Sequence, residues 1–204
     1  MIQLYRMALS GHCHRVQLFL SLLGLQFEMI DVDLAKGAHK SPEFLAMNPF
    51  GQVPVLRDGD VTLADSNAIL VYLEAKYAPG RWLPRDPVGA ARVQRWFSIA
   101  AGPLAFGPAA ARVVHVFGRN DDCTPLILRA NQLLKVMDGE LAKEPWLAGQ
   151  QATLADIANY SYIAHAPEGN VSLEPYPNVR AWLARIEALP GFVGMAKSKV
   201  ALSA

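Results

Sequence analysis

A change of hydrophobic period near residue 80 constrains this chain more than any other feature. Before it, strand-like and helix-like runs alternate. Ile2 and Leu4 alternate with Gln3 and Tyr5, which predicts a strand. Val16, Phe19, Leu20 and Leu23 fall at i, i+3, i+4 and i+7, one face of a helix that begins near His12, and Gly24 is a natural stop. Residues 27–32 read as a second strand. Strand, helix, strand in this order favours a parallel pair with a right-handed crossover. Ser41-Pro42-Glu43 starts a short helix with a cap, a first-position proline and an acid at the positive end, and Asn48-Pro49 ends it. Residues 53–56 and 61–63 are two strands, and Asp58-Gly59 between them predicts an antiparallel hairpin. Asp65-Ser66 caps a helix carrying Ile69, Tyr72 and Leu73, which Pro79-Gly80 stops.

After the change only helical patterns remain, over about residues 88–118, 124–143, 153–165 and 177–189. The stretch 78–87 is rich in proline and glycine and marks the boundary. The expected architecture is α/β plus all-α. A βαβαββα unit with a mixed four-stranded sheet occupies 1–78, a linker 79–86, and a helical bundle 87–204.

Composition narrows the function. The chain has 204 residues with 19 Lys and Arg against 18 Asp and Glu, a net charge of +1. Binding to nucleic acid needs a basic excess, so no nucleic-acid partner is expected. Two cysteines, Cys13 and Cys123, make no disulfide framework and read as free thiols in a cytoplasmic protein. No membrane span is expected: the uncharged run 96–111 is shorter than the ~20 residues a span needs and contains Gly102, Pro103, Gly107 and Pro108. No leader sequence is recognisable at the start.

Four motifs in order carry a family resemblance. Asn48-Pro49-Phe50-Gly51-Gln52-Val53-Pro54-Val55-Leu56, Leu63-Ala64-Asp65-Ser66-Asn67-Ala68-Ile69, Thr153-Leu154-Ala155-Asp156, and Pro177-Asn178-Val179-Arg180-Ala181-Trp182 with Leu189-Pro190-Gly191-Phe192 resemble the signatures of the cytosolic glutathione S-transferase superfamily. The match covers nearly the whole chain. Leu9-Ser10-Gly11-His12-Cys13-His14-Arg15 is similar to the bacterial, serine-type, theta- or delta-like branches. Asp65 stands where the family usually has glutamate. The resemblance implies a thioredoxin-like first domain, glutathione as cosubstrate, an apolar electrophile pocket between the domains, and a homodimer.

The residues suit that chemistry. Glutathione carries two carboxylates, an ammonium and a thiol that is mostly protonated at neutral pH, whereas the thiolate is the nucleophile. Ser10, at the turn into the first helix, is the catalytic candidate. Its hydroxyl and the helix dipole both favour S⁻ over SH. The resemblance implies a cis bond between Val53 and Pro54 that frees the Val53 backbone to pair with the tripeptide. The helix start at Ser66 suits the γ-glutamyl carboxylate, and Asp65 suits the ammonium. His39 and Lys40 are the cations for the glycyl carboxylate, and Gln52 is a further donor.

The residues also admit competing readings. Asp65 and Ser66 read equally as an ordinary cap, and His39-Lys40 as a solvated basic loop. Cys13 at a helix start reads as structural or as an activated thiol in a glutathione-dependent peroxidase or thiol transferase. Reductive dehalogenation at the same site, or a non-catalytic interaction protein on the same fold, would use the same motifs. His12 and His14 point to opposite sides of a helix, so no metal site is expected. Phe106, Ala110, Val113, His115 and Phe117 are candidates for the acceptor pocket, without a commitment to any. Phe50 reads equally as a dimer anchor or a core aromatic. Thr153 and Asp156 form a capping box whose loss is expected to cost about 0.5–2 kcal/mol.

Overall fold

A computed structural model describes residues 1–200. Its strands are β1 (Ile2–Arg6), β2 (Phe27–Asp31), β3 (Val55–Asp58) and β4 (Val61–Ala64). They form one mixed sheet in the order β2-β1-β3-β4. β1 runs parallel to β2, and Leu4 sits opposite Met29. β1 and β3 are antiparallel, as are β3 and β4. The parallel pair requires a crossover, which α1 (Gly11–Leu22) supplies.

The hairpin differs in one detail from the sequence expectation. Asp58 pairs with Val61, so the two loop residues are Gly59 and Asp60, with Gly59 at φ 62°. Asp58 is the last strand residue instead of a turn residue. Its carboxylate receives Tyr72 Oη, Tyr77 Oη and Lys76 Nζ at 2.9, 2.6 and 2.7 Å, which ties the hairpin to α3 (Ser66–Tyr77). Strand β3 also begins two residues later than expected. The Val53–Pro54 bond is cis, and Val53 lies outside the ladder.

The short helix α2 (Pro42–Met47) is capped as its sequence predicts, with Ser41 Oγ accepting from the Phe44 amide at 3.2 Å. The helices α4 (Pro87–Ala101), α5 (Ala110–Val116), α6 (Thr124–Leu141), α7 (Leu154–Ala164) and α8 (Pro177–Glu187) follow. The expected single helix over 88–118 is broken. Gly102 ends α4, and residues Ala105–Ala109 form a wide π-helical turn around Pro108. Proline lacks the N–H that a regular α-turn needs there. Gly107 lets that turn approach α6: a Cβ at Gly107 would lie 3.1 Å from the Ala130 amide nitrogen. Gly107 therefore serves packing. Pro87–Val116 is long and apolar enough to cross a membrane by length and composition alone, and half of its most apolar window is buried inside the fold.

One core runs through both halves of the molecule. Leu4, Val16, Phe19, Leu56, Ile69 and Leu73 from the sheet unit pack with Trp96, Leu134, Ile157 and Trp182 from the helices. Helix α7 is buried at ten of its eleven positions and touches α1, α3, α4 and α8. Its start is the expected capping box with additions. Asp156 has no exposure and accepts from the Thr153 amide, Thr153 Oγ1, the Leu147 amide and Trp182 Nε1 at 2.8–3.2 Å.

Candidate active site

The turn between β1 and α1 makes one corner of the site. Ser10 is the N-cap of α1, and its Oγ accepts from the Cys13 amide at 3.3 Å. Its own amide donates to the Met7 carbonyl at 3.0 Å, which fixes the turn. Ser10 lines a cleft of about 1220 Å³ and Cys13 does not. The Cys13 thiol is turned under the turn, 1% exposed, with Sγ accepting from the Met7 amide at 3.4 Å. Burial pushes its pKa up, against weaker opposing hydrogen bonds and charges.

The two flanking histidines separate as their spacing predicts. His12 lines the cleft and packs edge-on to Tyr162, with ring centroids 5.0 Å apart. Burial, then the Arg15 charge, push its pKa down to about 3. His14 faces the helical half, where Nδ1 meets Ser161 Oγ at 2.8 Å and Nε2 meets the Val193 carbonyl at 2.9 Å. The described residues contain no group of three or more histidines, cysteines or acids placed to hold a metal.

The start of α3 makes the second corner. Asp65 adopts φ 69°, a region few residues other than glycine occupy, and such outliers cluster at functional sites. Its Oδ1 accepts from the amides of Asn67 and Ala68, both at 2.9 Å. Asp65 is exposed and Ser66 is buried, and both line the cleft. Ser66 Oγ accepts from Arg15 Nη1 at 3.1 Å, and the same nitrogen donates to Asn67 Oδ1 at 2.8 Å. Arg15 is 1% exposed, and its Nε and Nη2 have no partner. Desolvation lowers its pKa to about 10, so it remains a cation at neutral pH. A buried, partly unpartnered guanidinium behind two helix starts creates a field that favours an anion in the cleft.

The loop before β3 completes this side. His39, Phe50, Gly51, Gln52, Val53 and Pro54 all line the cleft. His39 Nδ1 is buried without a hydrogen-bond partner. Lys40 does not line the cleft; its Nζ folds 3.5 Å from the Phe50 carbonyl. Gly51, at φ 58°, makes this close approach possible, because a Cβ there would lie 2.8 Å from both the His39 carbonyl and Lys40 Nζ. Phe50 is 79% exposed, which removes the core-aromatic reading. Asn48 Nδ2 holds the Gln52 carbonyl at 2.8 Å and shapes the turn.

The opposite wall comes from the helical half. Val113 and Phe117 line the cleft; Phe106, Ala110 and His115 do not. Leu9 and Leu34 add apolar surface from the sheet unit. Three residues of this site were not singled out from the sequence. Arg15 stands at the end of the Leu9–Arg15 motif, which assigns it no role, and Tyr162 sits inside a helical apolar pattern that gives no local signal. Arg112 is buried on α5, where it donates to Glu168 Oε2 and to the Leu9 carbonyl, both at 2.7 Å.

Comparison with known proteins agrees with this fold. Residues 9–76 match the glutathione S-transferase N-terminal domain model, and residues 128–190 match the C-terminal domain model. Glutathione S-transferase 3 of Zea mays is 38% identical over 94% of this chain and 91% of its own length. Human glutathione S-transferase theta-2 is 34% identical over 93% of this chain and 82% of its own. The crystal structure of a glutathione S-transferase from Pseudomonas fluorescens superposes with a TM-score of 0.89 at 33% identity, covering 96% of this chain and 99% of that one. A delta-class glutathione transferase from Nilaparvata lugens superposes with a TM-score of 0.86 at 31% identity, covering 94% and 91%. With a thioredoxin-like sheet unit, a helical partner and a cleft between them, the chain belongs to the glutathione S-transferase family of enzymes.

Proposed function

We propose that the protein transfers the glutathione thiolate to small apolar electrophiles, with Ser10 stabilising the thiolate. The observation that carries this reading is the placement of Ser10, and not Cys13, in the same cleft as Asp65, Ser66, Val53 and Pro54. The Ser66 amide at the start of α3 receives the γ-glutamyl carboxylate, with Arg15 supplying positive charge from behind. Asp65 uses its second carboxylate oxygen for the ammonium, since Oδ1 is committed to the helix cap. His39 and Gln52 serve the glycyl end, and Lys40 adds charge at the rim. The Val53 backbone, outside the ladder, pairs with the cysteinyl unit.

The sulfur then lies at the start of α1. The Ser10 O–H donates to S⁻, and the helix dipole adds in the same direction. Dipole effects of about 0.3–2 kcal/mol lower a thiol pKa by up to roughly 1.5 units. The thiolate attacks an electrophilic carbon, a C–S bond forms, and the leaving group departs with its electron pair. Leu9, Leu34, Val113 and Phe117 make the acceptor side apolar.

The chain divides, in this reading, into 1–78, a linker 79–86 and 87–204, and works as a cytoplasmic homodimer with Phe50 as an anchor. The test compares Ser10→Ala with Cys13→Ser, in conjugation to an activated chloroarene and in thiol transfer from a small disulfide. Hydrogen bonds to charged groups are worth about 1.5–3 kcal/mol, so Ser10→Ala is expected to lose roughly ten- to hundredfold in conjugation kcat/KM. Conjugation intact in Ser10→Ala but lost in Cys13→Ser overturns the serine reading in favour of the thiol one.

A further inference from the structure

We infer that Tyr162, on the helical half, is a positioning residue that fixes the direction of the Ser10 hydroxyl toward the glutathione sulfur. The inference rests on the serine reading above. Tyr162 is 5% exposed yet lines the same cleft as Ser10. Its ring lies directly on Gly11: a Cβ there would meet Cε1, Cζ and Cε2 at 2.8–2.9 Å. Only glycine after Ser10 permits this approach, and it brings the phenol end of the ring to the start of α1. The His12 ring closes over Tyr162 edge-on. The phenol oxygen lies beside the Ser10 hydroxyl and the His12 amide. The charged or titratable groups around it are Arg15, Cys13 and His12.

The hydrogen-bonding capacity of Ser10 explains the consequence. A hydroxyl has one proton and two acceptor positions. The Cys13 amide already fills one acceptor position at 3.3 Å. When the sulfur is present, the Tyr162 O–H turns to fill the second. The only capacity left to Ser10 is its proton, which then points at the sulfur. A hydroxyl held in this way does not have to be reoriented during each turnover.

Tyr162→Phe tests this, because phenylalanine keeps the ring on Gly11 and removes only the hydroxyl. The readout is the pH profile of kcat/KM, with the thiolate absorbance of bound glutathione titrated alongside. The variant is expected to move the bound-thiol pKa upward and to lose about three- to tenfold in kcat/KM at pH values below it, with glutathione affinity nearly unchanged. Ser10→Ala/Tyr162→Phe is expected to match Ser10→Ala alone, since Tyr162 acts through Ser10. An unmoved pH profile in Tyr162→Phe overturns the inference, even if stability or glutathione affinity falls. A double variant worse than Ser10→Ala also overturns it, because Tyr162 would then act on the sulfur itself. An unmoved profile in Ser10→Ala removes the serine reading first.

Discussion

The starts of α3 and α7 use the same capping chemistry to different ends. At α7 every acceptor is occupied: Asp156 takes four donors and has no exposure. At α3, Asp65 Oδ1 takes two amides, the residue is exposed at φ 69°, and its neighbour Ser66 faces a cleft. A buried, saturated cap fixes a fold. A cap with capacity left over, opening onto a cleft, is placed to bind. The distinction lies in what remains unpaired, not in residue type.

The largest effect expected from this contrast is at Asp156. Removing its carboxylate orphans four buried donors, each worth about 1–3 kcal/mol, so Asp156→Ala is expected to destabilise by more than about 3 kcal/mol. That exceeds the cost of losing a cap alone, because the sequence shows the Thr153 partner but not Leu147 or Trp182. Denaturant unfolding measures it, and a loss within about 0.5–2 kcal/mol would return Asp156 to a simple cap.

A smaller effect concerns the two histidines of α1. His14 is saturated at both nitrogens, and burial, partly opposed by the Val193 carbonyl, lowers its pKa from 6.5 to about 4. Between those values the unfolded chain binds the proton and the folded protein does not. Stability is therefore complete above pH 6.5 and is lost as pH falls through that window, by about 3 kcal/mol at most. Glutamine can donate to Val193 and accept from Ser161 without titrating. His12, lowered to about 3, contributes over the same window, so His14→Gln is expected to reduce the slope of the stability–pH curve there by about half, and an unchanged slope would show that His14 does not contribute to it.

The same contrast explains what was legible in the sequence. Period and turn residues gave the sheet, its parallel and antiparallel pairs, and the helix order, because each is a local signal along the chain. The break at Gly102 and the π turn were hidden by an apolar pattern that continues across them. Ser10, Asp65 and Ser66 were legible because motifs carry them, and His39 because the ligand's carboxylate calls for a cation. Tyr162 was not, because a buried aromatic on an apolar helix face looks like core until its neighbours are known, and the motif that holds Ser10 and Arg15 assigns Arg15 no role. Cys13 shows the converse. Its position read as structural or as an activated thiol, and the fold turns its thiol under the Met7 amide.

Asp65 gives the smallest stability change and the sharpest separation of cap from ligand. Asparagine keeps the oxygen that accepts from the Asn67 and Ala68 amides, has the same shape as aspartate at this backbone, and replaces the other oxygen with an uncharged amide. Asp65→Asn is therefore expected to change stability by only a few tenths of a kcal/mol, since asparagine and aspartate cap about equally well. Glutathione affinity is expected to fall about tenfold, because the ammonium loses its counter-charge and a charge-assisted bond is worth about 1.5–3 kcal/mol. Asp65→Ala removes the cap as well, and should add a stability loss of about 0.5–2 kcal/mol to the same loss of affinity. Calorimetric titration with glutathione on both variants decides between the roles. If affinity survives in Asp65→Asn and falls only in Asp65→Ala, the carboxylate shapes the helix start and does not meet the ligand, and the two helix starts are alike after all.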